Sequence, residues 1–202
     1  MYLRSASVDI DDSVLVQQSQ AGDTKAMERL ILKYQNRIYN VTLKMCGNPD
    51  DAAELTQEAF VKVIESINKF QGKSSFYTWL FRIAVNLTLN HCQRTSRTAT
   101  RSLDSEESGQ EGAAKQYLKD FLSDESAADP AVLAQSRELC ELAKQSLLKL
   151  DEPQRAVIVL RDIEGMNYND IADVLNIELG TVRSRLSRAR SHVRDILEAM
   201  LK

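Results

Sequence analysis

Cysteine is scarce in this chain. Cys46, Cys92 and Cys140 stand far apart, so neither a disulfide framework nor a zinc-type pairing of cysteines is present. His91 beside Cys92 reads as structural. Proline and glycine are few, three and seven in 202 residues, which removes the turn residues that all-β chains need and favours helix. Long apolar runs and a leader-like N-terminus are lacking too, so no membrane insertion is expected and the protein reads as soluble, reduced and cytoplasmic. No nucleophile–base pair, phosphate loop or metal cluster stands out, so no catalytic residue, metal or cofactor is assigned and the chain is not expected to be an enzyme. An excess of positive charge is missing as well. The net charge of -3 means that any surface meant for nucleic acid must be local, with an acidic region elsewhere.

That local surface is the stretch Leu179 to Val193. Val182, Leu186, Ala189 and Val193 recur at helical spacing as one apolar stripe. Arg183, Arg185, Arg188, Arg190 and Arg194 lie off it, with no acid between Leu179 and Arg194. Such a face is either a solvated basic surface or a footprint of DNA binding. The preceding residues decide between the two. Asn167 can cap a helix Tyr168 to Leu175 with Asp170 in its first turn, Ile171, Ala172 and Leu175 facing inward, and Asn176 ending it in a left-handed conformation. A short helix, a tight turn and a basic second helix form a helix-turn-helix, here Tyr168 to Ser187, whose second helix enters the major groove.

In chain order, residues 1–12 read as disordered. From Ser13, Val14, Leu15 and Gln18, then Ala26, Leu30, Ile31, Tyr34, Ile38, Val41, Leu43 and Met45, follow helical periods, interrupted at Gly22-Asp23 and stopped at Gly47. Asn48-Pro49-Asp50-Asp51 opens another helix by cap, first-turn proline and acids. It buries Leu55, Ala59, Val63 and Ile67, with Phe60 and Ile64 beside them, and turns Glu54, Gln57, Glu58, Lys62 and Glu65 outward. A loop from Phe70 to Ser75 leads into an aromatic cluster, Phe76, Tyr77, Trp79 and Phe81. These rings either fill a core or, with Lys73 and Arg82 nearby, stack on unpaired bases. Asn86, Asn90 and Arg94 continue as a polar stripe. Thr95 to Ala128 is rich in acids and small polar residues and reads as a linker with at most one short helix. Asp129-Pro130 starts a helix to about Leu150. Asp151 caps the next, which buries Ala156, Val157, Val159, Leu160 and Ile163 and ends at Gly165. The expected fold is all-α: two small helical domains joined by a flexible acidic linker.

Four stretches resemble one family in order: LTQEAFVKV (Leu55–Val63), KSSFYTWLFRIAVN (Lys73–Asn86), DIADVL (Asp170–Leu175) and GTVRSRLSRAR (Gly180–Arg190). They are similar to regions 2.2, 2.3–2.4 and 4.2 of sigma-70 family RNA polymerase sigma factors, and the likeness runs from Ser13 to Leu197. The short chain, with a linker where primary sigma factors fold a region 3, resembles the extracytoplasmic-function (ECF) subgroup. The resemblance implies region 2 over residues 13–95, an acidic linker over 96–128 and region 4 over 129–202. It implies core RNA polymerase, through its β′ clamp and β flap, and promoter DNA as partners, and an anti-sigma factor as inhibitor.

Carried over residue by residue, Glu54, Leu55, Gln57, Glu58, Val61 and Glu65 would dock on the clamp. Phe70, Lys73, Ser74, Ser75, Phe76 and Tyr77 would form the loop that captures a flipped −10 base, with Trp79, Arg82 and Asn86 at the upstream edge of the bubble. Primary sigma factors carry a second Trp where this chain has Leu80, which implies weaker melting. In the −35 element, Ser184, Ser187 and Arg188 would touch bases, while Thr181, Arg183, Arg185 and Arg190 would hold phosphates. Glu178 stands where many relatives have Pro. The rival reading is an autonomous helix-turn-helix regulator binding an operator, which would have no use for Glu54 to Asn86.

Overall fold

Asp11 caps the first helix, and every regular element after it is helical. The computed structural model describes residues 11–101 and 141–200, with side chains over 11–96 and 141–199. No strand occurs among them. The expected loose residues 1–10, most of the acidic linker and the expected start at Asp129-Pro130 lie outside the described residues.

Helix α1 (Asp12–Gln20) already includes Asp12, which the sequence placed in a disordered tail. Its carboxylate accepts a hydrogen bond from the Tyr34 hydroxyl and pairs with Lys33 Nζ at 3.0 Å. The inward residues are Leu15, Val16 and Ser19, whereas Val14 is 42% exposed. The small Ser19 is tolerated inside because its hydroxyl donates to the Leu15 carbonyl at 2.7 Å. Helix α2 (Thr24–Cys46) is capped by Asp23 and stopped by Gly47 at φ 80°. Helix α3 (Pro49–Ser66) carries the expected Asn48 cap and Pro49 in its first turn. A 3₁₀ turn, Ile67–Lys69, follows it.

Helix α4 (Phe76–Arg101) outruns the expected domain edge at residue 95. Helices α2, α3 and α4 bury Leu30, Ile38, Val63, Leu80, Phe81 and Val85 between them. Ile64, expected beside the core, is 50% exposed. It lies past the edge of the stripe set by Leu55, Ala59 and Val63 and shares the outer face with Val61.

The second body begins, among the described residues, with helical positions 141–148. Asp151 then caps α5 (Glu152–Ile158). The expected continuous helix instead widens into a π turn, Val159–Ile163. The wider turn changes the register, and Ile163, expected inside, is 41% exposed. Gly165 at φ 71° redirects the chain. Helix α6 (Tyr168–Leu175) has the expected Asn167 cap and the left-handed Asn176 at φ 51°. Its fully buried residues are Ile171 and Val174, so Val174 takes the place expected for Leu175, which is only half-buried. Helix α7 (Leu179–Met200) closes the fold.

The two bodies touch. Helix α6 packs on α4, and α5 and the π turn pack on α2 and α4. Arg155 of α5 donates from Nη1 to the Met45 carbonyl at 2.5 Å, near the end of α2. Its other nitrogens reach the carbonyls of Leu147 (3.0 Å), Leu148 (2.8 Å) and Leu150 (2.8 Å). Beside this, Leu148 covers Gly47, where an added Cβ would come within 2.7 Å of a Leu148 methyl carbon. Gly47→Ala therefore meets both a left-handed backbone and a crowded neighbour. We expect a loss of about 1–3 kcal/mol, read as an earlier urea midpoint at unchanged m-value.

Candidate functional site

Three surfaces carry the residues singled out in the sequence. The first is the basic helix α7. Val182, Leu186 and Ala189 are buried against the body, as the apolar stripe requires, and Arg183, Ser187, Arg188 and Arg190 are exposed. Thr181, Ser184 and Arg185 are half-buried, and the Ser184 hydroxyl is bonded to the Thr181 carbonyl at 3.1 Å. A base contact by Ser184 therefore has to share or give up that bond. Glu178 is exposed before the first turn, its carbonyl accepting from the amides of Thr181 (2.8 Å) and Val182 (3.1 Å).

Arg190 is not a free cation. Asp162 grips it from two oxygens, Nε at 3.0 Å and Nη2 at 2.5 Å, and this pairing holds the guanidinium above its ordinary pKa. Periodicity in the sequence gave no sign of this partner, because Asp162 lies on the π turn rather than on α7. Tyr168, Arg183, Leu186, Ser187, Arg190 and Arg194 rim a shallow cavity of about 390 Å³ on this face.

The second surface is the loop between α3 and α4 with the start of α4. Ser75 caps α4, its Oγ accepting from the Thr78 amide at 3.0 Å. Phe76 and Phe81 belong to the core, at 4% and 0% exposure, while Phe70 and Trp79 remain half-exposed. The core reading of the aromatic cluster thus holds for Phe76 and Phe81, while Phe70 and Trp79 keep exposed ring surface. Phe70 and Trp79 lie 4.9 Å apart, with Phe76 at 6.2 and 5.9 Å from them.

The loop flanks a groove of about 640 Å³ against α1, lined by Val16, Gln17, Lys33, Phe70, Ser74 and Phe76 among others. The groove is wide enough for a nucleobase and offers aromatic faces and hydroxyls; the Lys33 ammonium on its wall is paired with Asp12, and Asp11 lines it too. Lys73, Ser75 and Asn86 are exposed nearby. Gln20, which the sequence did not mark, holds the loop, its Nε2 donating to the Ile67 and Phe70 carbonyls at 2.9 Å each. A contact across 47 residues leaves no local pattern to read.

Further along, Tyr77 accepts from Arg37 Nη2 at 3.1 Å, its ring lying 4.7 Å beneath that guanidinium. Burial foremost pushes the Tyr77 hydroxyl up to about 12; Glu164 and Asp170 push the same way, and Arg37 opposes them. Arg82 has its Nε buried with no hydrogen-bond partner.

The third surface is the outer face of α3. Glu54, Gln57, Glu58, Val61 and Glu65 are exposed there, together with Ile64. Val61 and Ile64, at 51% and 50% exposure, make an apolar spot ringed by acids and an amide. Glu58 is paired with Lys62 at 3.3 Å. Leu55, expected to touch the clamp, is 6% exposed. It sits on the buried stripe with Ala59 and Val63, as its spacing predicts.

With this geometry in hand, comparison with known proteins separates the readings. The Sigma-70 region 2 model matches residues 30–98, and the Sigma-70, region 4 model matches residues 141–193. The RNA polymerase sigma-H factor of Pseudomonas aeruginosa is 35% identical over 191 residues, 95% of this chain and 96% of that protein. The ECF RNA polymerase sigma-E factor of Escherichia coli K12 is 32% identical over 200 residues, 97% and 99% of the two chains.

Among solved structures, CnrH in complex with the cytosolic domain of CnrY has a TM-score of 0.64 at 24% identity, covering 93% of this chain and 97% of that one. The sigma factor RpoE in complex with the anti-sigma factor NepR from Bartonella quintana has 0.64 at 22%, covering 87% and 98%. These two structures share the fold. The match to region 2 accounts for the part of the chain that an operator-binding regulator would not need. Regions 2 and 4 in order, and relatives aligned over almost the full length, place this chain in the sigma-70 family as an ECF RNA polymerase sigma factor.

Proposed function

We propose how this sigma factor divides its work among the three surfaces. The outer face of α3, with Glu54, Gln57, Glu58, Val61 and Glu65, docks on the β′ clamp of core RNA polymerase. The exposed Val61 and Ile64 amid polar residues support this, since a small apolar centre with a polar rim is the anatomy of a protein contact. The loop from Phe70 to Tyr77, with Trp79, Arg82 and Asn86, receives the −10 element. An unstacked base needs a pocket and a π-face, and the groove beside Phe70 and Phe76 offers both. Leu80 is fully buried, so Trp79 acts without a second aromatic wedge at that position, and good promoter matching compensates for weaker melting.

Helix α7 lies in the major groove of the −35 element, with region 4 also meeting the β flap. Arg188 and Ser187 reach base edges from the exposed face, and Thr181, Arg183, Arg185 and Arg190 hold phosphates. The exposed arginine face set over a buried apolar stripe is the observation that carries this part. The acidic linker threads toward the polymerase cleft. An anti-sigma factor holds the chain inactive, as the NepR complex of the Bartonella RpoE suggests by analogy. No helix among the described residues is long and apolar enough to cross a membrane, and the chain works in the cytoplasm, where core polymerase and promoters are found.

Run-off transcription tests the whole reading. Core polymerase plus this chain should yield promoter-specific transcripts from a template carrying its promoter, and their absence would overturn it. Gln57→Ala with Glu58→Ala should lower the affinity for core polymerase at least several-fold while the circular dichroism melt stays put; unchanged assembly would remove the clamp contact. Arg188→Ala should cost about 1–3 kcal/mol of −35 binding and relax one base position, whereas Arg190→Ala should weaken all sequences alike. Binding to a panel of single-base −35 variants separates the two, and equal losses across the panel for both mutants would refute the division.

A further inference from the structure

The short connector between α5 and α6 carries two acids, Asp162 and Glu164, and the first turn of α6 a third, Asp170; each is already engaged. Asp162 grips Arg190 of α7. Glu164 reaches into region 2, where Arg37 donates to it from Nε at 3.2 Å and pairs from Nη2 at 3.0 Å, leaving the Glu164 side chain only 9% exposed. Asp170 accepts from the Thr78 hydroxyl of α4 at 3.5 Å. The partners are either residues assigned above to DNA or their immediate neighbours. Arg190 faces −35 phosphates, Arg37 lies over Tyr77, and Thr78 is one helical turn from Arg82, whose Nε is buried and unbonded.

This arrangement cannot be the one that reads a promoter. The −10 and −35 elements are about 25 base pairs apart, roughly 80 Å of duplex at about 3.4 Å per pair. Thr78 and Asp170, from the two reading bodies, are in hydrogen-bond contact. At up to about 3.5 Å per residue, residues 102–140 are long enough to let the bodies part. We infer that the acids Asp162, Glu164 and Asp170 act as a built-in substitute for DNA phosphates: Asp162 occupies Arg190 within region 4, while Glu164 and Asp170 close region 4 onto region 2 in the free chain without any partner protein and cover the α4 side of the −10 surface. This rests on the division of surfaces proposed above. In it the connector neutralises cations that a polyanion later claims, and the orphaned Nε of Arg82 gains a partner only on opening.

Charge reversal at Arg37 tests this in the full chain. Arg37→Glu sets two carboxylates against each other in the buried Glu164 site. The closed free protein should have a radius of gyration near 17 Å, the value for a compact chain of this length, and small-angle scattering should show it rise by several ångströms in the variant. The variant chain is more acidic, so simple charge predicts weaker DNA binding. Uncovering of the −10 surface predicts the opposite, at least about threefold tighter binding of a random-sequence 12-nucleotide single strand at equal salt. The swap Arg37→Glu with Glu164→Arg should return both readings toward wild type, which also guards against simple misfolding.

An extended wild-type chain, or weaker strand binding by Arg37→Glu in step with its charge, would overturn the inference. Promoter-directed run-off by the wild-type protein reads the underlying assignment separately. Transcription with an already open free chain sinks only the latch, and no transcription sinks the reading beneath it.

Discussion

The Arg155 guanidinium gathers four carbonyl groups at the ends of two helices. The last turns of a helix leave their carbonyls unpaired, and a buried one is costly. Arg155 supplies donors to Met45 near the end of α2 and to Leu147, Leu148 and Leu150 around the turn before α5. One side chain thus finishes two helix ends from different bodies. The rest of the contact is arranged around it: Leu148 over Gly47 on one side, and Glu164 of the connector with Asp170 of α6 on the other.

A chain of net charge -3 can still present a DNA surface because charge acts locally. In physiological salt, fields fade over about 8 Å, so acids elsewhere do not cancel the arginines along α7. The acids that matter are those in contact, and the structure puts them on the connector. Asp162 and Glu164 face opposite ways from a π turn, one to the arginine helix of its own body and one to α2 of the other. Region 4 therefore brings counter-charges for both sets of cations.

Local signals are legible in this sequence. The caps Asn48, Asp151 and Asn167, the stops at Gly47 and Asn176, and the stripe of Val182, Leu186 and Ala189 all follow from the chemistry of a few neighbouring residues, and the structure has each of them. The family likeness, carried by four short stretches, agreed with the comparisons. What failed depended on register or distance. Ile163 turned outward because a π turn has no hydrophobic period to betray it. Val174 replaced Leu175, because neighbouring positions on a short amphipathic helix differ by about 100° and either choice fits the pattern. Gln20 bracing the loop, Asp162 on Arg190 and Glu164 on Arg37 are pairings between distant segments, and a single sequence carries no record of them.

The π turn from Val159 to Ile163 has a consequence for how this chain tolerates change. One surplus residue there rotates everything downstream by roughly a quarter turn relative to a regular helix. Asp162 and Glu164 owe their divergent aim to it. Removing that residue would leave the flanking helices free to form and their apolar faces intact, yet would swing both carboxylates off their partners together. A single codon deletion, invisible to hydropathy and to composition, is thus the shortest route by which a descendant of this protein would lose its self-restraint while keeping its grip on promoters.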